Sequence, residues 1–170
     1  MKSFTSDLAR LRVPLGFLCA AAAYWLARPT PQSVFAGMSL AGMGEVLRIW
    51  ASGHIDKGRE VTRSGPYRFV RHPLYLGSAI MGLGFIVAAR SWPAAAIAGG
   101  YLAVTLTAAM RTEEAALRSR FPDEYADYTA GRRGAQPRSF SLARVAANRE
   151  YRALAGFVLA IGLLVLRIGR

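Results

Sequence analysis

Acidic residues are scarce in this chain, as are the residues that build covalent or metal frameworks. Asp and Glu number 10 against 22 Lys and Arg, for a net charge of +12. The single cysteine, Cys19, excludes a disulfide framework and any cysteine-rich metal site. Two histidines, His54 and His72, leave little for a His-based zinc site, so no resident metal is expected. Charged residues of both signs make up only 19%, below the roughly 25% of an ordinary soluble domain. No GxGxxG turn follows a strand pattern and no P-loop is present, which excludes a soluble Rossmann-type methyltransferase or dehydrogenase. No repeat of fixed period is visible either.

What the chain does have is apolar length. Hydrophobic residues reach 53%, and the mean hydropathy of +0.23 excludes intrinsic disorder. Its 170 residues suit one domain, here taken as 1–170. Five apolar stretches recur: Val13–Ala27, Val34–Ala51, Leu74–Ala89, Trp92–Met110 and Ala153–Leu166. A spanning helix needs about 20 apolar residues, with a lower limit near 17. The second and fourth meet that limit outright. The others must recruit flanking Arg and Tyr side chains that reach the interface. Read as Tyr151–Ile168, the last rises about 27 Å. The expectation is an all-α polytopic membrane protein with five transmembrane helices. The first stretch could also serve as the core of a signal peptide, but Tyr24, Trp25 and Leu26 stand where small residues should precede cleavage.

The basic residues orient this arrangement. The N-terminal tail holds Lys2, Arg10 and Arg12; the loop after the second stretch holds Lys57, Arg59, Arg63, Arg68 and Arg71; the rest of the cluster lies between Arg111 and Arg152. These segments carry 17 of the 22 basic residues and share one side of a five-span chain, while Arg28, Arg90, Arg167 and Arg170 take the other. Because cytoplasmic loops carry the Lys/Arg excess, the N-terminus is expected inside and the C-terminus outside. In so apolar a chain the positive charge marks membrane orientation, and no nucleic-acid partner is expected. The Ala/Arg/Gly-rich composition points to a bacterial inner membrane.

Soluble material concentrates in a polar loop, Ser52–Arg71, and in a charged helix expected over Arg111–Tyr128, followed by an irregular stretch, Ala130–Pro137. Leu117, Phe121, Tyr125 and Tyr128 recur at helical spacing as one apolar-aromatic face, which either packs on the membrane domain or also serves a site. Glycines stud the spans, and in lipid small residues let helices approach closely. Glu45 and Arg48, three apart in the second span, share a helix face and can pair.

Two clusters bear chemistry. The run from Gly65 to Gly77 is a Gly-Pro turn followed by a helix start at Pro73. It leaves Arg71 and His72 beside a helix N-terminus suited to an anionic group, with Tyr75 one turn on. Interface anchoring alone would account for the same residues. Arg111-Thr112-Glu113-Glu114 opens at the cytoplasmic end of the fourth span, where a solvated helix face is the plainer reading.

Taken together, Gly65-x-Tyr67, Arg71-His72-Pro73-x-Tyr75-x-Gly77, Glu113-Glu114-x-x-Leu117 and Phe121-x-x-x-Tyr125-x-x-Tyr128 resemble the isoprenylcysteine carboxyl methyltransferase family, with phospholipid methyltransferases as relatives. The resemblance covers about 48–128. Pro122 stands where the family usually has Gly, and the apolar stretch at about 151–168 is extra. The resemblance implies an integral-membrane methyltransferase that uses S-adenosylmethionine in a cytoplasmic catalytic cap. It implies cofactor contacts from Val61, Thr62, Tyr67, His72, Pro73, Leu74, Tyr75, Glu113 and, after it, Glu114. Catalytic candidates are Arg71, His72 and Arg111, the last to hold an anionic acceptor. The expected partners are membrane lipids and a lipophilic substrate that enters from the bilayer, near Tyr75 at the start of the third span and Met110 at the end of the fourth. Isoprenylcysteine-type carboxyl O-methylation is the leading reading. Phospholipid N-methylation, an NADPH-dependent sterol-type reductase and a non-catalytic membrane subunit are the alternatives.

The charge split predicts that a cysteine placed in the 52–71 loop is labelled by an impermeant thiol reagent only from the cytoplasmic side, and one at Ser33 only from the opposite side. Labelling of the loop from the outer side would overturn the orientation.

Overall fold

The computed structural model describes residues 2–132 and 138–169, with side chains from Pro14 onward. Arg133, most of the stretch expected to be irregular over Ala130–Pro137, and Arg170 lie outside the described residues, as do the side chains of Lys2, Arg10 and Arg12. Among the described residues the fold is helical throughout, with no strand. The helices are α1 (Lys2–Leu26), α2 (Pro31–Ser52), α3 (Pro73–Ala89), α4 (Trp92–Arg120), α5 (Pro122–Thr129), α6 (Leu142–Ala147) and α7 (Tyr151–Leu166). By length and hydropathy α2 and α4 can each cross a membrane, whereas Pro14–Leu26, α3 and α7 are shorter apolar helices.

Local chemistry sets the helix limits. Thr30 caps α2 in a reciprocal box with Ser33: Ser33 N–H donates to Thr30 Oγ1 at 3.2 Å and Thr30 N–H donates to Ser33 Oγ at 2.9 Å. The Ser33 hydroxyl also donates to the Ala88 carbonyl at 3.0 Å, tying the start of α2 to the end of α3. Arg90 ends α3 in the left-handed region, φ 48°, and Ser91 caps α4 at once, so these two helices form a tight hairpin. The single charged helix expected over Arg111–Tyr128 is instead two pieces. α4 runs unbroken to Arg120, and the chain turns at Phe121, φ −136° and ψ 60°, because a residue before proline is driven out of helical geometry; Pro122 then opens α5. Nor is Ser52–Arg71 a simple polar loop. It contains a 3-10 turn, Gly65–Arg68, and buries Ile55, Val61, Thr62, Ser64, Pro66 and Tyr67.

The central contact is α2 against α3. Gly37, Ala41, Gly44 and Arg48 face Gly77, Met81, Gly84 and Ala88, both series spaced four, three and four apart. A Cβ on Gly44 would stand 2.5 Å from the Gly77 carbonyl oxygen and 2.6 Å from the Met81 nitrogen, so here backbone touches backbone. Gly42, on another face of α2, meets nothing within 4 Å.

One end of this seam carries buried charge. Arg48 pairs with Glu150 at 2.5 Å and with Glu45 at 3.7 Å, and it bonds the Ser78 hydroxyl. Glu45 and Glu150 are only 3% and 5% exposed, so the pair read from the sequence is one part of a buried cluster completed by the residue that opens α7. Nearby, the segment around α6 covers the C-terminus of α2. Asn148 Nδ2 donates to the carbonyls of Ser52 and Ile55 at 2.9 and 3.1 Å, Arg144 Nε to that of Gly53 at 2.7 Å, and Arg138 to that of His54 at 3.3 Å. Carbonyls that a helix end leaves unpaired are thus bonded by a distant stretch of chain.

Gly44→Leu should lower the thermal midpoint in detergent sharply, since overpacking costs about 1–3 kcal/mol even where side chains can shift. Gly42→Ala should be neutral or raise it, Ala being favoured over Gly in a helix by roughly 0.5–1 kcal/mol. Equal tolerance of both substitutions would refute the backbone contact.

Candidate active site

The segment that follows α2 and the N-terminal end of α3 border a cavity of about 1200 Å³. Its walls come from α1, the 55–67 segment, the start of α3, one long face of α4, and α5. The two ends differ chemically. Towards the 57–72 segment the wall carries Lys57, Glu60, Thr62, Tyr67, Arg71 and His72, joined by Arg111, Glu113 and Arg120 from α4. Further along α4 it is lined by Ile97, Tyr101, Val104 and Ala108, opposite Leu15 and Cys19 of α1.

Several contacts hold the polar end in place. The Tyr128 hydroxyl donates to the Tyr67 carbonyl at 2.8 Å, tying α5 across the 3-10 turn. Arg71 donates to the Thr129 carbonyl at 3.3 Å, and Arg63 to that of Glu124 at 2.8 Å. His72 Nε2 lies 3.0 Å from Glu114 Oε1, and Arg118 approaches the other carboxylate oxygen at 3.6 Å. Glu114 lies beyond the membrane length of α4, and the His72 hydrogen bond holds its carboxyl below the usual range. The His72 and Tyr75 rings lie 5.8 Å apart.

Two polar atoms on the wall are buried without a protein partner, Thr62 Oγ1 and Tyr67 OH, while the buried Tyr125 hydroxyl has Arg118 beside it. Burial, and after it the Glu113 charge, pushes the Tyr67 hydroxyl far up. Burial likewise raises that of Tyr125, with Glu114 next. Both hydroxyls therefore remain protonated and able to donate. Buried polar atoms left unpaired are costly, so two on one wall make this end of the cavity a candidate for a polar ligand.

Of the candidates from the sequence, Val61, Thr62, Tyr67, Arg71, His72, Tyr75, Arg111 and Glu113 line this cavity together. Pro73, Leu74 and Glu114 are not on its wall. Pro73 is buried at the start of α3, Leu74 packs against Ala51, Ile55 and Tyr67, and Glu114 holds His72 from behind. The aromatic face of Leu117, Phe121, Tyr125 and Tyr128 does both jobs open to it: it packs on Val61 and lines the cavity. Sequence reasoning missed Lys57, Glu60 and Arg120, which stand among other loop and helix charges with nothing local to single them out. It also missed α1, whose Leu15 and Cys19 wall the apolar end. The helical spacing of Ile97, Tyr101, Val104 and Ala108 could have marked that face of α4.

The profile of the phospholipid methyltransferase family matches residues 32–124. The chain belongs to that family. It is also similar to a cobalt-zinc-cadmium resistance protein, CzcN, of Cupriavidus metallidurans: 36% identity over 94 residues, 54% of this chain and 42% of the relative. A nickel-cobalt-cadmium resistance protein, NccN, of Alcaligenes xylosoxydans is 36% identical over 96 residues, covering 54% of this chain and 44% of its own. The chain thus spans less than half the length of these relatives. No solved structure matches. The family match ends before Tyr125, so α5's two tyrosines and the segment around α6 lie beyond it, as does α1 at the other end.

Behind the cavity, His54 is 6% exposed, with Nδ1 3.2 Å from Ser64 Oγ and its ring against Gly65, whose φ of +56° only glycine adopts readily. Burial lowers its pKa, and Arg144 and Arg138 add to the effect. The folded state therefore favours the neutral ring, while the unfolded chain takes up a proton near pH 6.5. This contribution to stability is full above about pH 6.5 and is lost as pH falls through that value towards the depressed folded-state pKa. The thermal midpoint should fall between about pH 7 and pH 5.5 more steeply in the wild type than in His54→Gln. Parallel pH profiles would count against a neutral buried His54.

Proposed function

We propose that this chain is an integral-membrane methyltransferase that uses S-adenosylmethionine to methylate a lipophilic acceptor. The acceptor's head lies at the polar end of the cavity and its tail lies between α1 and α4. The observation that carries this reading is the continuity of one cavity between two chemistries: unpartnered Thr62 and Tyr67 at one end and an apolar slot at the other. Single-ligand sites occupy about 300–1,000 Å³, and this cavity of about 1200 Å³ has room for two reactants. A tail kept in lipid avoids a cost of about 0.8 kcal/mol per exposed methylene. Five membrane crossings, with the polar end on the cytoplasmic side of a bacterial inner membrane, accord with the basic-residue split.

S-adenosylmethionine, when bound, supplies a methyl group on a positively charged sulfur. The protein's part is to align two reactants and exclude water. The Tyr67, Tyr75 and Tyr125 rings offer faces that favour a cation. The Tyr67 and Tyr125 hydroxyls donate hydrogen bonds, and Glu113 presents a carboxylate to the same space. Arg71 and Arg111 hold an anionic acceptor head. His72 Nε2 is engaged by Glu114, which leaves Nδ1 as the ring nitrogen open to a proton. A carboxylate acceptor, with a pKa near 4, is already ionised and requires no base. An amine needs one. Carboxyl O-methylation of the isoprenylcysteine type therefore asks least of these residues, and phospholipid N-methylation, with His72 as its base, is the alternative.

Calorimetry of the purified protein should detect binding of S-adenosylhomocysteine and none of NADPH. His72→Ala, Tyr75→Ala and Glu113→Ala should each weaken that binding roughly ten- to a hundredfold, as expected for losing one hydrogen bond to a charged group. Unchanged affinity in all three, or binding of NADPH in its place, would refute the assignment.

A further inference from the structure

Resting on the cofactor reading above, we propose that Glu60, held from behind by Arg138, forms with Lys57, Thr62 and Arg120 the subsite for the α-amino-acid end of the cofactor. All four side chains line the cavity, whereas Arg138 does not. Glu60 and Arg138 pair at 2.5 Å with their side chains only 24% and 23% exposed, so the carboxylate is fixed by a partner on the far side of the wall. Arg120 closes the same corner from the end of α4: a Cβ on Gly58 would stand 3.2 Å from its Nη1. Thr62 Oγ1, buried and without a partner, lies in the same stretch of wall.

The chemistry of this corner is that of a zwitterion site. An α-amino acid presents an ammonium and a carboxylate on adjacent atoms. One acceptor carboxylate, Glu60, answers the ammonium; two cations, Lys57 and Arg120, answer the carboxylate; a hydroxyl, Thr62, completes the hydrogen bonding. Charge-assisted bonds of this kind are about twice as strong as neutral ones, so a fixed carboxylate contributes selectively to a ligand that carries the ammonium. Arg138 is then a positioning residue. It also donates to the His54 carbonyl, so the segment that caps α2 orients a cavity carboxylate as well. It lies outside the family match, which places the completion of this corner in a part of the chain the match does not include.

Two ligands separate this role from a structural one: S-adenosylhomocysteine, which carries the amino-acid end, and methylthioadenosine, which lacks it. In calorimetry on the full chain, Glu60→Gln and Arg138→Gln should each weaken S-adenosylhomocysteine binding roughly tenfold, the effect of one charge-assisted bond. Methylthioadenosine should bind both variants as it binds the wild type. Arg138→Lys, which keeps the charge, should recover part of the loss. The inference fails if Glu60→Gln leaves S-adenosylhomocysteine affinity intact, or if both ligands weaken equally, which would make the pair a staple of the cavity as a whole. Wild-type protein that binds neither ligand would overturn the cofactor reading itself, and this subsite with it.

Discussion

Where α2 and α3 cross, their backbones touch through Gly37, Gly44, Gly77 and Gly84, and the geometry of the polar end follows from that contact. In lipid there is no hydrophobic gain from bringing two apolar helices together, so association rests on close packing of small residues. The seam fixes the C-terminus of α2 and the N-terminus of α3 relative to each other. The 53–72 segment must bridge those two ends, and it does so as a folded plug with a buried 3-10 turn. Tyr67, Arg71 and His72 therefore reach the cavity from a rigid base.

The buried cluster on Arg48 extends this arrangement to the C-terminal part of the chain. Removing one partner of a buried charge group typically costs about 3–5 kcal/mol, because the remaining charge is left uncompensated. Glu150 is thereby bound to the α2–α3 seam, and the start of α7 with it. Arg138, Arg144 and Asn148 then supply donors to successive carbonyls at the end of α2. A segment with little regular structure of its own gains its place from these bonds.

The cavity joins two solvents. Its polar end is built where helices stop and their charged flanks emerge, and its apolar end lies between helices long or apolar enough to belong in a bilayer. Under the function proposed above, a small polar molecule enters that boundary from one side and a lipid tail from the other. The His72–Glu114 pair links the start of α3 to α4 through the imidazole Nε2.

The helices themselves were legible in the sequence because apolar length and helix-start chemistry are local properties: Pro73, for one, marks a start that the fold uses. The run from Gly65 to Gly77 and the Glu113-Glu114 pair were also legible, since each is a short pattern of chemically distinctive side chains. The break at Phe121 was written there too, in Pro122, but a continuous helical pattern masked it. What the sequence could not determine is which charges share a space. Glu150 looks like any other acid in a basic stretch until α7 is laid against α2, and Glu60 like any loop carboxylate until Arg138 stands behind it. The same holds for α1 as a wall of the cavity and for Glu114 as the partner of His72. Local sequence sets backbone conformation through sterics and hydrogen bonds that act over a few residues. The pairing of charges 42 to 102 residues apart depends on how helices cross, and only the packed tertiary structure decides that.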